Sequence, residues 1–154
     1  MGMKISDYLK EDIICLDLKS TSKKDVIEEL GSIIKNSKEV TDYEMFISDV
    51  MEREKLSTTG VGDGVALPHA RTNAVSKFVV AFGRSKKEVN FNSIDKKKVN
   101  LIFLMGTPKN ETLDLYLVLL AHLTRLLRKE DFRQLLLKAE RPSEVIKAFK
   151  DIEV

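Results

Sequence analysis

Apolar positions recur along this chain with two different periods, and the two periods alternate. Residues 13–16 form a short apolar run that predicts a strand. Val26, Ile27, Leu30, Ile33 and Ile34 then follow at helical spacing, and Ser22 stands where an N-cap belongs. A second helix is expected from Thr41, because Glu44 three residues on completes a capping-box pattern. Met45, Phe46 and Val50 give that helix an apolar side, and Asp49 and Arg53 a charged one. Residues 65–67, 77–84 and 99–105 read as strands rich in β-branched and aromatic residues, with a further short strand inside the solvated, lysine-rich turns of 86–98.

The last third returns to the helical period. Leu113, Leu117, Leu120, Leu123 and Leu127 mark a broad apolar face within 111–128, as expected of a helix lying on a sheet. A shorter helix over 131–139 follows, and Pro142 opens a final one ending near Phe149. No internal repeat or long linker divides the chain, so residues 1–154 are expected to form a single domain. The pattern predicts an α/β fold, a central mixed β-sheet flanked by helices. Mixed pairing is expected because several middle strands are joined by turns short enough for antiparallel neighbours.

Composition narrows the chemistry. Of 154 residues, 43% are hydrophobic and 32% charged, with three prolines and seven glycines, which excludes a disordered or collagen-like chain. Twenty-six basic against 24 acidic residues leave a net charge of +2, too little for a general nucleic-acid grip. The longest apolar run, 115–121, falls far short of the ~20 residues of a membrane span, so no direct membrane insertion is expected. The first residues show no export signal, and the lone Cys15 sits in an apolar run, so a cytoplasmic, reducing setting is the default. Two histidines and one cysteine cannot build a sulfur- or histidine-rich metal site, and no phosphate-binding glycine motif for a nucleotide occurs; no metal or cofactor is expected.

The segment 60–71, GVGDGVALPHAR, stands apart. Alternate glycines permit positive φ, and Pro68 fixes its own φ and keeps Leu67 extended. His69 is thereby delivered rigidly at a strand end, with Ala70 and Arg71 behind it. An accessible imidazole in that place can serve as a metal ligand, a general base, a nucleophile, or simply the polar cap of a turn.

The stretch 53–69, REKLSTTGVGDGVALPH, resembles the active-site region of the mannitol/fructose class of enzyme IIA domains of the bacterial phosphoenolpyruvate-dependent sugar phosphotransferase system. The similarity extends to the SKKDVIEELGSII helix, the VNLIFLMGTP strand and the LAHLTRLLRKEDFRQLLLKA tail, so it covers essentially the whole chain. The resemblance implies a phosphoryl relay. His69 would accept the group from the histidine-containing phosphocarrier protein and pass it to a IIB component, in a cytoplasmic protein needing no cofactor. It also implies Arg53 as the cation that meets the phosphoryl oxygens and Thr59 as a hydroxyl donor, with an ordinary turn hydroxyl as the alternative. Backbone groups near Gly64 or Ala70 could help hold the anion, and Arg71 could sit at the rim.

Many members of that class carry a second histidine near the acceptor. Here the position falls at or just before Tyr116, which could offer a hydroxyl instead or could simply pack in the core. His122, six residues later, is expected at the surface or its boundary. A regulatory protein akin to the nitrogen-related branch is the alternative function, and an interaction module that never carries phosphate is a third.

Overall fold

The computed structural model describes residues 4–111 and 113–154, with the backbone alone for Asp114. Among the described residues, six strands form one mixed sheet: β1 (Ile14–Cys15), β2 (Gly60–Gly62), β3 (Val65–Ala66), β4 (His69–Arg71), β5 (Val79–Val89) and β6 (Val99–Thr107). Five α-helices cover it: α1 (Lys23–Ile34), α2 (Tyr43–Leu56), α3 (Leu113–Leu127), α4 (Glu130–Lys138) and α5 (Pro142–Ile152). The mixed α/β architecture expected from the sequence is the one observed.

β6 is the axis. It pairs antiparallel with β5 along one edge; along the other it pairs parallel first with β3 and then with β4. β1 adds in parallel outside β5, and β2 folds back antiparallel on β3. β6 and the first half of β5 read as largely apolar runs because both of their faces are buried there, whereas the far end of β5 carries exposed lysines. Val80, Phe82, Leu101, Phe103 and Met105 point to one side, where they pack with Leu119, Leu123, Phe132, Val145 and Phe149 of α3, α4 and α5. Val79, Ala81, Ile102 and Leu104 point to the other, against Val26, Ile27 and Leu30 of α1 and Phe46 and Val50 of α2. Gly106 lets α2 come close at the end of β6: a Cβ there would lie 2.6 Å from the Phe46 ring.

Several expectations need correction. Ser22 does cap α1, accepting from the Asp25 amide at 3.2 Å, but the cap of α2 is Asp42, which accepts from the Met45 amide at 3.1 Å. Thr41 instead donates its hydroxyl to the Ala74 carbonyl at 3.0 Å, fastening the loop that precedes the helix. The separate short strand expected within 86–98 is the tail of β5, which continues past an irregularity to Val89. On α3 the buried stripe is Tyr116, Leu119, Leu123, Leu126 and Leu127, whereas Leu113 and Leu117 are each half exposed. Leucines surround that helix, so the sequence period alone does not fix which side meets the sheet.

Candidate functional site

Alternation along the β3–β4 edge decides where the histidine side chain goes. Val65 and Leu67 face the α3 side of the sheet, and Ala66 and Ala70 face the α2 side. His69 keeps the parity of Leu67. Its ring meets Tyr116 of α3 edge-on, with centroids 5.5 Å apart and planes at 62°. Pro68 interrupts the strand without breaking the sheet, since its carbonyl still accepts from the Met105 amide at 3.0 Å. β4 then continues parallel to β6 with His69 opposite Met105.

The imidazole is far less accessible than its position in the sequence suggests. His69 is 8% exposed, because α3 lays Tyr116 across the ring. What remains open faces a cleft of about 650 Å³ between α2 and α3, also lined by Arg53, Ala70, Arg71, Lys109, Tyr116 and Leu117. Nδ1 lies 2.6 Å from the Leu67 carbonyl oxygen. A carbonyl only accepts, so Nδ1 carries the proton and Nε2 keeps the lone pair. Burial lowers the pKa of His69, and the nearby Arg53 guanidinium pushes it the same way; the Leu67 bond and the Glu54 carboxylate oppose them without reversing the shift. The ring is therefore neutral at pH 7, with one basic nitrogen.

Around it the charge is mixed but leans positive, with Arg53, Arg71 and Lys109 against Asp49 and Glu52. Arg53, in the last turn of α2, is braced by the Ser57 carbonyl at 3.0 Å. Arg71 donates to the carbonyls of Lys109 and Glu111 at 3.2 and 3.0 Å, and its buried Nε has no hydrogen-bond partner among the described residues. Burial pushes the Tyr116 phenol up to about 12, although both arginines pull the other way, so its hydroxyl keeps its proton. Asp49 accepts from the Thr72 hydroxyl at 2.6 Å. At the rim, Leu56 is 83% and Leu117 50% exposed, an apolar border to a cationic cleft.

Two residues singled out in the sequence lie elsewhere. Thr59 is 3% exposed and gives its hydroxyl to Glu54 at 2.5 Å, so it does not line the cleft. Gly64 sits at the tip of the β2–β3 hairpin, where Asp63 and Gly64 have φ of 58° and 78°. Its carbonyl bonds the amides of Asn100 and Leu101, whereas His69 stands level with Met105. At ~3.3 Å per residue along β6, that places Gly64 roughly 15 Å away. The glycines of the motif thus shape a hairpin, for which Asp-Gly at two positive-φ positions is suited.

His122 does not line the cleft with His69 either. Its Nε2 donates to Glu153 at 2.6 Å, and its Nδ1 accepts from Arg125 at 3.0 Å. Sequence reasoning passed over two buried carboxylates, Glu54 and Glu153, and the cleft residue Lys109. Both carboxylates sit near helix ends among ordinary charged positions, and no spacing signal separates them from solvated ones. Among the described residues, no group of three His, Cys, Asp or Glu could hold a metal ion.

A neutral imidazole with one free nitrogen, at the bottom of a cationic cleft with an apolar rim, is equipped to attack an anionic electrophile brought by another macromolecule. The comparisons with known proteins agree in kind. A family model described as "Phosphoenolpyruvate-dependent sugar phosphotransferase system, EIIA 2" matches residues 7–152. The chain is 38% identical over 136 residues to the "PTS system fructose-specific EIIA component" of Haloferax volcanii, covering 88% of both. It is 33% identical over 144 residues to the "PTS system fructose-specific EIIABC component" of Bacillus subtilis (strain 168), covering 94% of this chain but only 22% of that longer protein. Among solved structures, the nitrogen regulatory protein IIA-Ntr from Neisseria meningitidis superposes with a TM-score of 0.86 at 32% identity, over 94% of this chain and 98% of that one.

Proposed function

Because the chain belongs to the EIIA 2 family of the phosphoenolpyruvate-dependent sugar phosphotransferase system, we propose that it relays a phosphoryl group, with His69 as the acceptor, in sugar uptake of the fructose/mannitol type. The group arrives from the histidine-containing phosphocarrier protein and leaves to a IIB component. The observation that carries this reading is the Nδ1 bond to Leu67, which leaves Nε2 as the sole nucleophilic nitrogen of a neutral ring lining the cleft.

The chemistry follows from that tautomer. The Nε2 lone pair forms the new P–N bond as the donor's P–N bond breaks, and the donor ring keeps the electron pair it regains. Attack leaves positive charge on the His69 ring, and the Leu67 carbonyl is already placed to accept the Nδ1 proton's stronger, charge-assisted bond. The transferring group passes through a loose transition state with charge spread over its oxygens, so positioning and electrostatics do most of the work. Arg53 and Arg71 supply the cations, and the protonated Tyr116 hydroxyl supplies a neutral donor where many relatives carry a second histidine. Ala70 is small enough to leave the bottom of the cleft open. Leu56 and Leu117 form the apolar border against which donor and acceptor proteins dock in turn.

This reading places the chain in the cytoplasm, where both partners are reached; no described helix is long and apolar enough to cross a membrane. A second reading is favoured by the close superposition on the neisserial nitrogen regulatory protein: phosphorylation of His69 would then alter binding to other proteins rather than feed a sugar. Incubation with phosphoenolpyruvate, enzyme I and the phosphocarrier tests the site. We expect an acid-labile, base-stable adduct that His69→Ala abolishes and His122→Ala leaves intact. Label persisting in His69→Ala overturns the assignment. A chase with fructose- and mannitol-type IIB proteins separates the two readings, since only the transport role requires the label to move.

A further inference from the structure

We infer that Glu54 and Thr59 are positioning residues for the acceptor nitrogen: they pin Leu67, whose carbonyl selects the His69 tautomer with Nε2 unprotonated. The inference rests on the reading of His69 as the acceptor and extends it to two residues that never touch the cleft. Glu54 follows Arg53 on α2, but its side chain turns inward and is buried. Its carboxylate accepts from the Lys23 ammonium at 2.9 Å, the Thr59 amide at 2.9 Å and the Thr59 hydroxyl at 2.5 Å. Lys23 opens α1 and lies 5.4 Å above the Phe91 ring, so this buried charge is both paired and shielded.

From Thr59 the chain of bonds continues toward the histidine. The Thr59 carbonyl accepts from the Leu67 amide at 3.0 Å, and the Leu67 carbonyl accepts from His69 Nδ1 at 2.6 Å. Pro68, between them, has a fixed φ and is itself held by the Met105 amide. Leu67 is therefore held from both sides, and its carbonyl has little freedom to leave Nδ1. The hydrogen bond at one ring nitrogen fixes which nitrogen stays basic, so the Glu54–Thr59 pair acts on chemistry it does not contact.

The test reads the ring directly, in the unphosphorylated full-length chain labelled with 15N. Two-bond 1H–15N correlations give the His69 tautomer, and solvent exchange of the Nδ1 proton gives the strength of its bond. Wild type should show one tautomer, with the proton on Nδ1. Glu54→Gln and Thr59→Val should each speed that exchange at least about tenfold and populate the other tautomer, with phosphoryl acceptance slowed by a similar factor, the scale of loss usual for groups that orient a reacting ligand. Thr59→Ser, which keeps the hydroxyl, should stay within about twofold of wild type. Thr58→Val removes a neighbouring hydroxyl that donates to the Phe91 carbonyl and accepts from the Gly60 amide but does not reach Glu54, and should do the same. If Glu54→Gln does not fold, the near-isosteric Thr59→Val decides alone. Exchange and tautomer unchanged in Thr59→Val, or altered equally by Thr58→Val, overturns the inference. A wild-type protein that takes no phosphate on His69 rejects the acceptor reading instead, and the tautomer data remain separately interpretable.

Discussion

Replacing Arg53 by alanine removes a cleft cation whose charge acts on the His69 ring, and the structure sets the size of the effect. Arg53 is braced by the Ser57 carbonyl and lies partly buried beside the cleft, so its guanidinium is oriented before the anion arrives. Loss of one preorganised donor to developing charge costs ~10²–10³ in rate, or ~2.7–4 kcal/mol. Two features pull this case to the lower end. Arg71 and Lys109 stay in the cleft, and the cleft is open to solvent screening. The expectation is therefore a loss of about 10²-fold. Arg53 also disfavours the protonated ring, so its removal raises the His69 pKa and adds a further penalty in acid. At pH 8 the ring is neutral in both proteins, and the remaining loss belongs to the transition state. Quenched-flow transfer of 32P from the phosphocarrier reads this rate. Arg53→Lys, which keeps charge but loses the planar fork, should fall between the two at about tenfold. An Arg53→Ala rate within about threefold of wild type at pH 8 would remove the residue from the mechanism.

Two further outcomes follow from buried groups. Because the folded state lowers the His69 pKa, the unfolded chain takes up that proton first, near ~6.5. Its stabilising contribution is whole above that pH and is lost as the pH falls through the lower folded value. Urea denaturation between pH 8 and pH 5 should show wild type losing stability more steeply on acidification than His69→Gln; parallel profiles would contradict the burial argument. Glu153 accepts from the Ile5 amide at 2.7 Å, the Ser6 amide at 3.0 Å and His122 at 2.6 Å. Glu153→Gln leaves these buried donors poorly matched and should cost about 2–4 kcal/mol in urea denaturation while His69 phosphorylation proceeds at the wild-type rate. A cost below ~0.5 kcal/mol would show that the network contributes nothing net.

Much of this could be read in advance, and the parts that could not have physical reasons. The strands at Val79 and Val99 were legible because two-sided burial leaves a largely apolar run over 79–83 and 101–105, and Pro68–His69 was legible because proline fixes the chain before it. Local signals misled where two candidates competed. Thr41 and Asp42 both suit an N-cap, and a tertiary bond to Ala74 takes Thr41 out of contention. Phase was the difficulty on α3: with leucines on all sides, only contact with the sheet selects Leu119 over Leu117. The glycine motif drew Gly64 into the site, although its φ serves a hairpin tip. Thr59 and Glu54 were obscured for the opposite reason, since a buried carboxylate and its partners are recognised only when the distances are known.

The central claim is that His69 Nε2 carries the phosphoryl group while Nδ1 keeps its proton on the Leu67 carbonyl. Phosphorylated, 15N-labelled protein examined by 31P and 1H–15N NMR tests it in one sample. The account predicts a single phosphohistidine at position 69 with the phosphorus coupled to Nε2 and a protonated Nδ1. Phosphorus on Nδ1, or on His122, would contradict it.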